Sequence, residues 1–233
     1  MPGFFITGTD TGIGKTMIAS GLVWALKQRQ IDVGVMKPFA TADREFSKKY
    51  KSRDTFILAK AAQTSEPDGD LNPFFYRKAA SPLMASEIMG KKAPSLDEAI
   101  VAFRKIASRH KFVIVEGIGG IMVPVAEKRV IGDFAKIVAL PVIIITSPRL
   151  GTLNHTLLTV MACRSLGLDI AGIIINKMPV KPSTVEEKTP RMIEEITGVG
   201  VLAVIGYSRN LNYSRTGKAI EKLIDLDSLL SRQ

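Results

Sequence analysis

Along the chain, continuous apolar runs of strand length at residues 4–7, 32–36, 112–115, 142–146, 170–175 and 201–205 are separated by stretches with helical spacing. The runs do not alternate polar with apolar positions, so they read as parallel strands covered on both faces. Residues 15–28 carry Ile18, Leu22, Ala25 and Leu26 at i, i+4, i+7 and i+8, one face of a helix. Residues 151–166 carry Leu153, Leu157, Val160 and Met161 in a similar stripe, with Gly167 placed to cap it. The same reading predicts helices over 54–63, 82–89, 96–109 and 185–196, and one in the tail. Repeated β–α alternation predicts an α/β fold: a doubly wound, mainly parallel sheet with helices on both faces, in one domain over residues 1–233. Two segments interrupt the alternation, a polar one at 38–53 and a glycine-rich one at 117–132. Both follow carboxyl ends of strands, where open α/β sheets place their ligands.

Composition narrows the classes. With 46% hydrophobic and 23% charged residues, the chain has the balance of a packed domain rather than a disordered one. The longest apolar stretch, 137–146, is broken by Pro141. It falls well short of the roughly twenty residues of a membrane-spanning helix and reads as a core strand. No basic segment precedes the short apolar run at the N-terminus, so the expectation is a cytoplasmic protein without membrane contact. A single cysteine, Cys163, excludes an internal disulfide and a thiolate metal cluster, and its helical position suits a small core residue. Two histidines offer little to a transition metal. His110 reads as a solvated cation at a helix end, and His155 as structural or interfacial. The net charge of +10 points to anionic partners without choosing among them.

The clearest chemistry lies in Gly8-Thr9-Asp10-Thr11-Gly12-Ile13-Gly14-Lys15-Thr16, between the first strand and the first helix. A phosphate cradle needs small residues so that backbone N–H groups converge on the anion. It also needs a lysine for the outer phosphates and a hydroxyl for Mg²⁺. Gly14, Lys15 and Thr16 supply these, so the fold expected is P-loop NTPase-like. The strict spacing is not quite met, because Thr9 stands at the first glycine position. Glu116 ends a buried strand and is followed by Gly117-Ile118-Gly119-Gly120. An acid there sits near Mg²⁺ in many P-loop proteins, although a strand can also end on an acid that merely faces solvent. Lys37 ends the second strand, suited either to charge on a transferred phosphoryl group or to the surface.

Taken together, the 8–16 loop, Lys37-Pro38 with Thr41, Asp54, the Glu116–Gly120 run, Leu150-Gly151-Thr152-Leu153-Asn154-His155 and Asn176 resemble the dethiobiotin synthetase family, over about three-quarters of the chain. The resemblance implies an ATP- and Mg²⁺-dependent cyclo-ligase of biotin synthesis. Its substrates would be 7,8-diaminopelargonate, CO₂ and ATP, joined through a carbamate and a carbamic–phosphoric anhydride. It implies catalytic roles for Lys37, Lys15 and Thr11. It implies nucleotide binding by Gly12, Ile13, Gly14, Lys15, Thr16, Met17, Asp54, Glu116, Gly117, Gly119 and Asn176, the last reading the adenine edge. Thr16, Asp54 and Glu116 would arrange Mg²⁺. Thr41, Thr152, Leu153 and Asn154 would bind substrate, the last three from the neighbouring subunit of a homodimer with sites at the interface.

The chain departs from some members at Gly12, where they carry Glu, and at Lys177 and Gly206, which leaves the nucleotide base open. Two other classes compete. A cobyrinate-type amide ligase would usually bring a glutamine-handling domain with a nucleophilic cysteine. A chromosome- or septum-positioning ATPase would carry a second loop lysine where this chain has Asp10, and would bind DNA or membrane. The tail at 219–230 has Ile220, Leu223, Ile224 and Leu230 but also Glu221, Asp225 and Asp227. That mixture suits docking on the protein better than binding anionic lipid, and neither nucleic acid nor membrane is expected as a partner. The window 44–53 holds five basic residues and one acid, concentrating positive charge on an expected mobile loop beside the nucleotide.

Overall fold

Strands and helices alternate as the pattern predicts in the computed structural model, which describes residues 1–209 and 212–231. The first half of the chain forms β1 (Gly3–Gly8), α1 (Lys15–Gln28), β2 (Val33–Met36), β3 (Phe39–Thr41), α2 (Arg53–Ala62), α3 (Asp68–Leu71), β4 (Phe74–Tyr76), α4 (Pro82–Ile88) and α5 (Leu96–Arg109). There follow β5 (Phe112–Gly120), β6 (Pro124–Ala126), β7 (Arg129–Val130), α6 (Ile131–Val138), β8 (Val142–Thr146) and α7 (Thr152–Ser165). The chain continues with β9 (Ile170–Met178), α8 (Thr184–Thr197), β10 (Val201–Gly206), α9 (Tyr213–Leu223) and α10 (Leu226–Leu230).

The six strands expected from the apolar runs form one parallel sheet in the order β10-β9-β8-β1-β5-β2. From β1 the chain crosses to the β2 edge, returns to β5, and then builds outward through β8, β9 and β10. Right-handed crossovers put α1 on one face and α5 to α8 on the other. Residues of β1, β5 and β8 are almost wholly buried, the reason their sequences run apolar without alternation. The direction of travel reverses at β1. The carboxyl end of β1 therefore faces the crevice where such sheets bind ligands.

Several expectations change on the tertiary structure. Ile137 and Val138 are the last turn of α6, Ala139 takes a left-handed φ of 53°, and the strand starts only at Val142. The 137–146 run is thus a helix end plus a strand, divided just before Pro141. The short parallel pair β3–β4 and the hairpin β6–β7 were invisible because their partners are short and, for β3–β4, distant in sequence. His110 is not solvated: its ring lies between Asp32 (Nδ1–Oδ1 2.9 Å) and Glu66 (Nε2–Oε2 3.4 Å). That imidazole, by its hydrogen bond, holds the Asp32 carboxyl below the usual carboxylate range.

The largest inversion concerns α7. Its inward face is Thr152, Thr156, Thr159, Val160 and Cys163, while Leu153, Leu158 and Met161 are exposed. Hydrogen bonding explains it. The hydroxyl of Thr146 on β8 meets those of Thr152 at 2.8 Å and Thr156 at 3.0 Å, so the polar side of the helix is satisfied inside and the apolar side is left out. Cys163 is buried here and its thiol is pushed up to about 12 by burial, consistent with a packing role.

The tail docks on the protein as expected, with Ile220, Ile224, Leu226 and Leu229 in the core. Among the described residues no helix is long and apolar enough to cross a membrane. α9 crosses α1 where Gly217 faces Gly21: a Cβ on Gly217 would lie 2.3 Å from the Trp24 ring and 3.0 Å from the Gly21 carbonyl oxygen. Backbone cannot yield as a side chain can, so Gly217→Val is expected to destabilise the fold by about 1–3 kcal/mol through overpacking. Urea unfolding checks this, and an unchanged midpoint would contradict it.

Candidate active site

The loop after β1 gives way to α1 at Gly14, whose φ of 96° is left-handed. A Cβ at Gly14 would also stand 2.3 Å from Asn176 Nδ2, so two constraints demand glycine there. No side chain caps α1. The first-turn amides of the helix therefore remain available for an anion, reinforced by the helix dipole. Lys15 is buried and donates to the Asp10 carbonyl at 2.8 Å. Burial, and secondly the charge of Lys37, pull its ammonium down to about 8.

Three strand ends converge beside this loop. Lys37, after β2, is 3% exposed and Glu116, within β5, is 1% exposed. Lys37 Nζ donates to Glu116 Oε1 at 2.7 Å and to the Gly117 carbonyl at 2.8 Å, and lies 3.3 Å from Asp54 Oδ2 at the start of α2. Thr16 Oγ1 donates to the same Glu116 Oε1 at 2.8 Å. Burial works to lower Lys37, but the carboxylates of Glu116 and Asp54 outweigh it and hold the ammonium above its ordinary value. Burial likewise raises Glu116 in spite of Lys37. Asp54 is raised by burial but pulled further the other way by the neighbouring Lys37, so it ends below its usual range. Lys37 is therefore no surface lysine.

A cavity of about 640 Å³ opens over this cluster, a volume that suits a small-molecule ligand. Of the residues singled out from sequence, Thr11, Gly12, Gly14, Lys15, Thr16, Lys37, Thr41, Asp54, Glu116 and Gly119 line it. Thr41 donates its hydroxyl to the Ala80 carbonyl at 2.9 Å. Gly117 contributes its carbonyl to Lys37, and Met17 accepts from Ser20 Oγ at 3.1 Å without lining the cavity. Ile13 and Thr152 belong instead to an adjoining cavity of about 140 Å³, with His155 and Lys177. Asn176 is buried and donates Nδ2 to the Ile13 carbonyl at 2.8 Å. Leu153 and Asn154 are exposed in the first turn of α7, while the Thr152 N–H is taken by the Arg149 carbonyl at 2.9 Å.

Sequence reasoning missed Asn72. It is buried, and its Nδ2 donates to the Lys37 carbonyl at 2.7 Å and to Phe74 at 3.2 Å. With the Lys37 N–H bonded to the Leu71 carbonyl at 2.8 Å, this fixes the backbone that carries the lysine. No motif announces Asn72, because the contact exists only once β3 and β4 pair. The basic window at 44–53 forms a turn closed by Ser47 and Tyr50, with Phe46 and Tyr50 packed on Phe56 of α2.

A model of the AAA domain family matches residues 2–215. The chain is 38% identical over 235 residues to a protein of Nitrosopumilus maritimus (strain SCM1) named ATP-dependent dethiobiotin synthetase, covering 99% of this chain and 100% of that one. A protein of the same name from Bacillus subtilis (strain 168) is 39% identical over 232 residues, covering 100% of this chain and 99% of its own. The chain belongs to the ATP-dependent dethiobiotin synthetase family. Solved structures extend the likeness in fold alone. The septum site-determining protein MinD from Pyrococcus horikoshii OT3, complexed with Mg-ADP, superposes with a TM-score of 0.59 at 15% identity, covering 100% of this chain and 99% of its own. A ParA family ATPase from Chlorobium tepidum TLS gives 0.55 at 17% identity, covering 99% and 95%.

In this member of the family the cluster fits Mg²⁺ on its own chemistry. Glu116 Oε1 accepts two hydrogen bonds while its Oε2 is buried without a partner, an acceptor that costs free energy unless a cation or water meets it. Among the described residues no cluster of three or more His, Cys, Asp or Glu could cage a metal. Asp54 and Glu116 both line the cavity, and Mg²⁺ takes one or two carboxylates, waters and substrate phosphates rather than an all-protein shell. Glu116→Gln is expected to weaken ATP binding in Mg²⁺ by about tenfold or more, the size of a charged hydrogen bond, and to leave binding in EDTA nearly unchanged. Calorimetry under both conditions checks this; an equal loss in EDTA would show that Glu116 acts without metal.

Proposed function

We propose that this chain, as one P-loop domain, is an ATP-dependent dethiobiotin synthetase acting on 7,8-diaminopelargonate and CO₂. The observation that carries the reading is the convergence of two buried lysines, Lys15 and Lys37, with Glu116 and Asp54 at one end of a cavity beside an uncapped helix N-terminus. Phosphoryl transfer asks a protein for positioning and for cations more than for covalent chemistry, and this cluster is built of both. The full-length likeness to proteins of that name supplies the substrate class.

The reaction distributes over the residues as follows. CO₂ adds to one substrate amine, forming an N–C bond and releasing a proton, to give a carbamate. A carbamate oxygen attacks the γ-phosphorus of ATP, and the bond from that phosphorus to ADP breaks. The second amine then attacks the carbamoyl carbon, forming a C–N bond as the carbon–oxygen bond to phosphate breaks; the proton shed by that amine leaves with the phosphate, and the cyclic urea closes. Lys37, held by Glu116, Asp54 and the Gly117 carbonyl, faces the negative charge of the carbamate and the migrating group. Lys15 and the amides of Gly12, Ile13 and Gly14 bind the phosphates, and Thr11 donates a hydroxyl from the rim. Thr16, Asp54 and Glu116 hold Mg²⁺, which supplies neutralisation of phosphate charge when bound. Asn176, its Nδ2 already committed to the loop, retains Oδ1 to accept from an adenine amino group. Thr41 meets the substrate.

The substrate carboxylate falls to the start of α7 in a second subunit, where Leu153 and Asn154 present open amides. The outward apolar residues of α7, Leu158 and Met161, each 56% exposed, with Leu150 98% exposed just ahead of the helix, support a homodimer through this face. The synthetase reading is favoured over the positioning-ATPase alternative by relatives at 37–39% identity over nearly the whole chain.

Two measurements test the proposal. ATP turnover in Mg²⁺ should rise steeply only when diaminopelargonate and bicarbonate are both present; identical turnover without them would remove the substrate assignment. Lys37→Ala should lower kcat by about a hundredfold or more, the scale of losing an electrostatic stabiliser, while ATP still binds. Turnover like that of the wild type would take Lys37 out of the mechanism.

A further inference from the structure

The pairing of β9 with β10 slips at the mouth of the site. Val204 pairs with Ile175, yet Gly206 pairs with Met178, so β9 carries one residue more than its neighbour across this step. Such a bulge kinks a strand and re-aims its side chains. Lys177 stands within it at a φ of 66°, a left-handed conformation that costs a non-glycine residue about 1 kcal/mol or more. In a regular strand Asn176 and Lys177 would point to opposite faces. Here both reach the phosphate loop: Asn176 Nδ2 donates to the Ile13 carbonyl at 2.8 Å and Lys177 Nζ to the Gly12 carbonyl at 2.5 Å.

Two consecutive loop carbonyls are thus drawn toward β9 by two consecutive side chains. A planar trans peptide holds its N–H opposite its C=O. The N–H groups of Ile13 and Gly14 are therefore turned away from β9. Gly12 lines both the main cavity and the smaller one that Ile13 shares with Lys177, while Gly14 lines the main cavity and neither Asn176 nor Lys177 does, so away from β9 means toward the phosphate position.

We propose that Lys177 is a positioning residue of the phosphate loop, which together with Asn176 presets the Ile13 and Gly14 amides for a polyphosphate. The advantage is preorganisation, since donors fixed before binding need not be ordered during it. The strained backbone at Lys177 is the local cost of aiming two neighbouring side chains at one loop. The proposal rests on the reading of the loop as a nucleotide phosphate site and adds that Lys177 serves the phosphates, whatever base the nucleotide carries.

The test compares the wild type with Lys177→Met, which keeps the stem and removes the donor, by calorimetric titration with Mg·ATP, Mg·GTP and inorganic tripolyphosphate. The expected result is one common loss of about three- to tenfold, the size of a hydrogen bond, for every ligand that the wild type binds. KM for ATP should rise by the same factor with kcat little changed, and Lys177→Arg should recover most of the loss. Lys177→Gly, which suits the left-handed backbone, provides a second donor-free variant if Lys177→Met melts at a lower temperature. A loss seen with ATP but absent with tripolyphosphate would give Lys177 to the base and overturn the proposal, as would no loss with any ligand. A wild type that binds none of the three would overturn the phosphate-site reading and the proposal with it.

Discussion

The buried pair of Lys37 and Glu116 is the constraint around which this end of the molecule is arranged. Removing an ammonium and a carboxylate from water costs several kcal/mol per ion in a protein interior, repaid only by close geometry and further hydrogen bonds. Each neighbouring feature answers that demand. Asp54 gives Lys37 a second carboxylate and Gly117 a carbonyl, Thr16 gives Glu116 a donor, and Asn72 clamps the backbone behind the lysine. Glu116 Oε2 is left buried without a protein partner, as is Asn72 Oδ1 behind the lysine. Lys37 and one oxygen of Glu116 are thus satisfied by the protein alone.

The sheet explains why such a cluster can form here. β1, β2 and β5 end side by side because β5 lies between the other two, so residues separated by tens of positions in sequence reach one another without any long excursion of the chain. The phosphate loop is governed from the opposite flank, where the bulge in β9 sends Asn176 and Lys177 to successive carbonyls. One loop is therefore fixed from two sides, by charge on the β5 side and by hydrogen bonds on the β9 side. α7 follows a similar logic on a larger scale. Three threonine hydroxyls satisfied against one another leave Leu153, Leu158 and Met161 outside.

Much of this was legible in the sequence. The six strands, the long helices and the phosphate loop follow from runs and periods of apolar residues with glycine, lysine and threonine at a strand-to-helix junction, all local properties. The catalytic candidate Lys37 and the metal-site candidates Asp54 and Glu116 were legible as residue types at strand or helix ends, but their meeting was not. Asn72 and Lys177 carried no local signal. The value of Asn72 arises only from the pairing of β3 with β4, and that of Lys177 from a slip in register.

Local periodicity placed Val160 and Cys163 of α7 correctly but turned Leu153 and Met161 inward, because it counts hydrophobicity and cannot count a hydrogen bond to a hydroxyl on another strand. Sequence by itself thus determined the fold class, the phosphate loop and the family, since these depend on short-range pattern. The tertiary structure alone decided the charge balance of the Lys37 cluster, the placement of His110 between two carboxylates, the face that α7 leaves open and the aim of Lys177. Each of these depends on burial or on a partner supplied from far along the chain, and neither exists until the sheet has assembled.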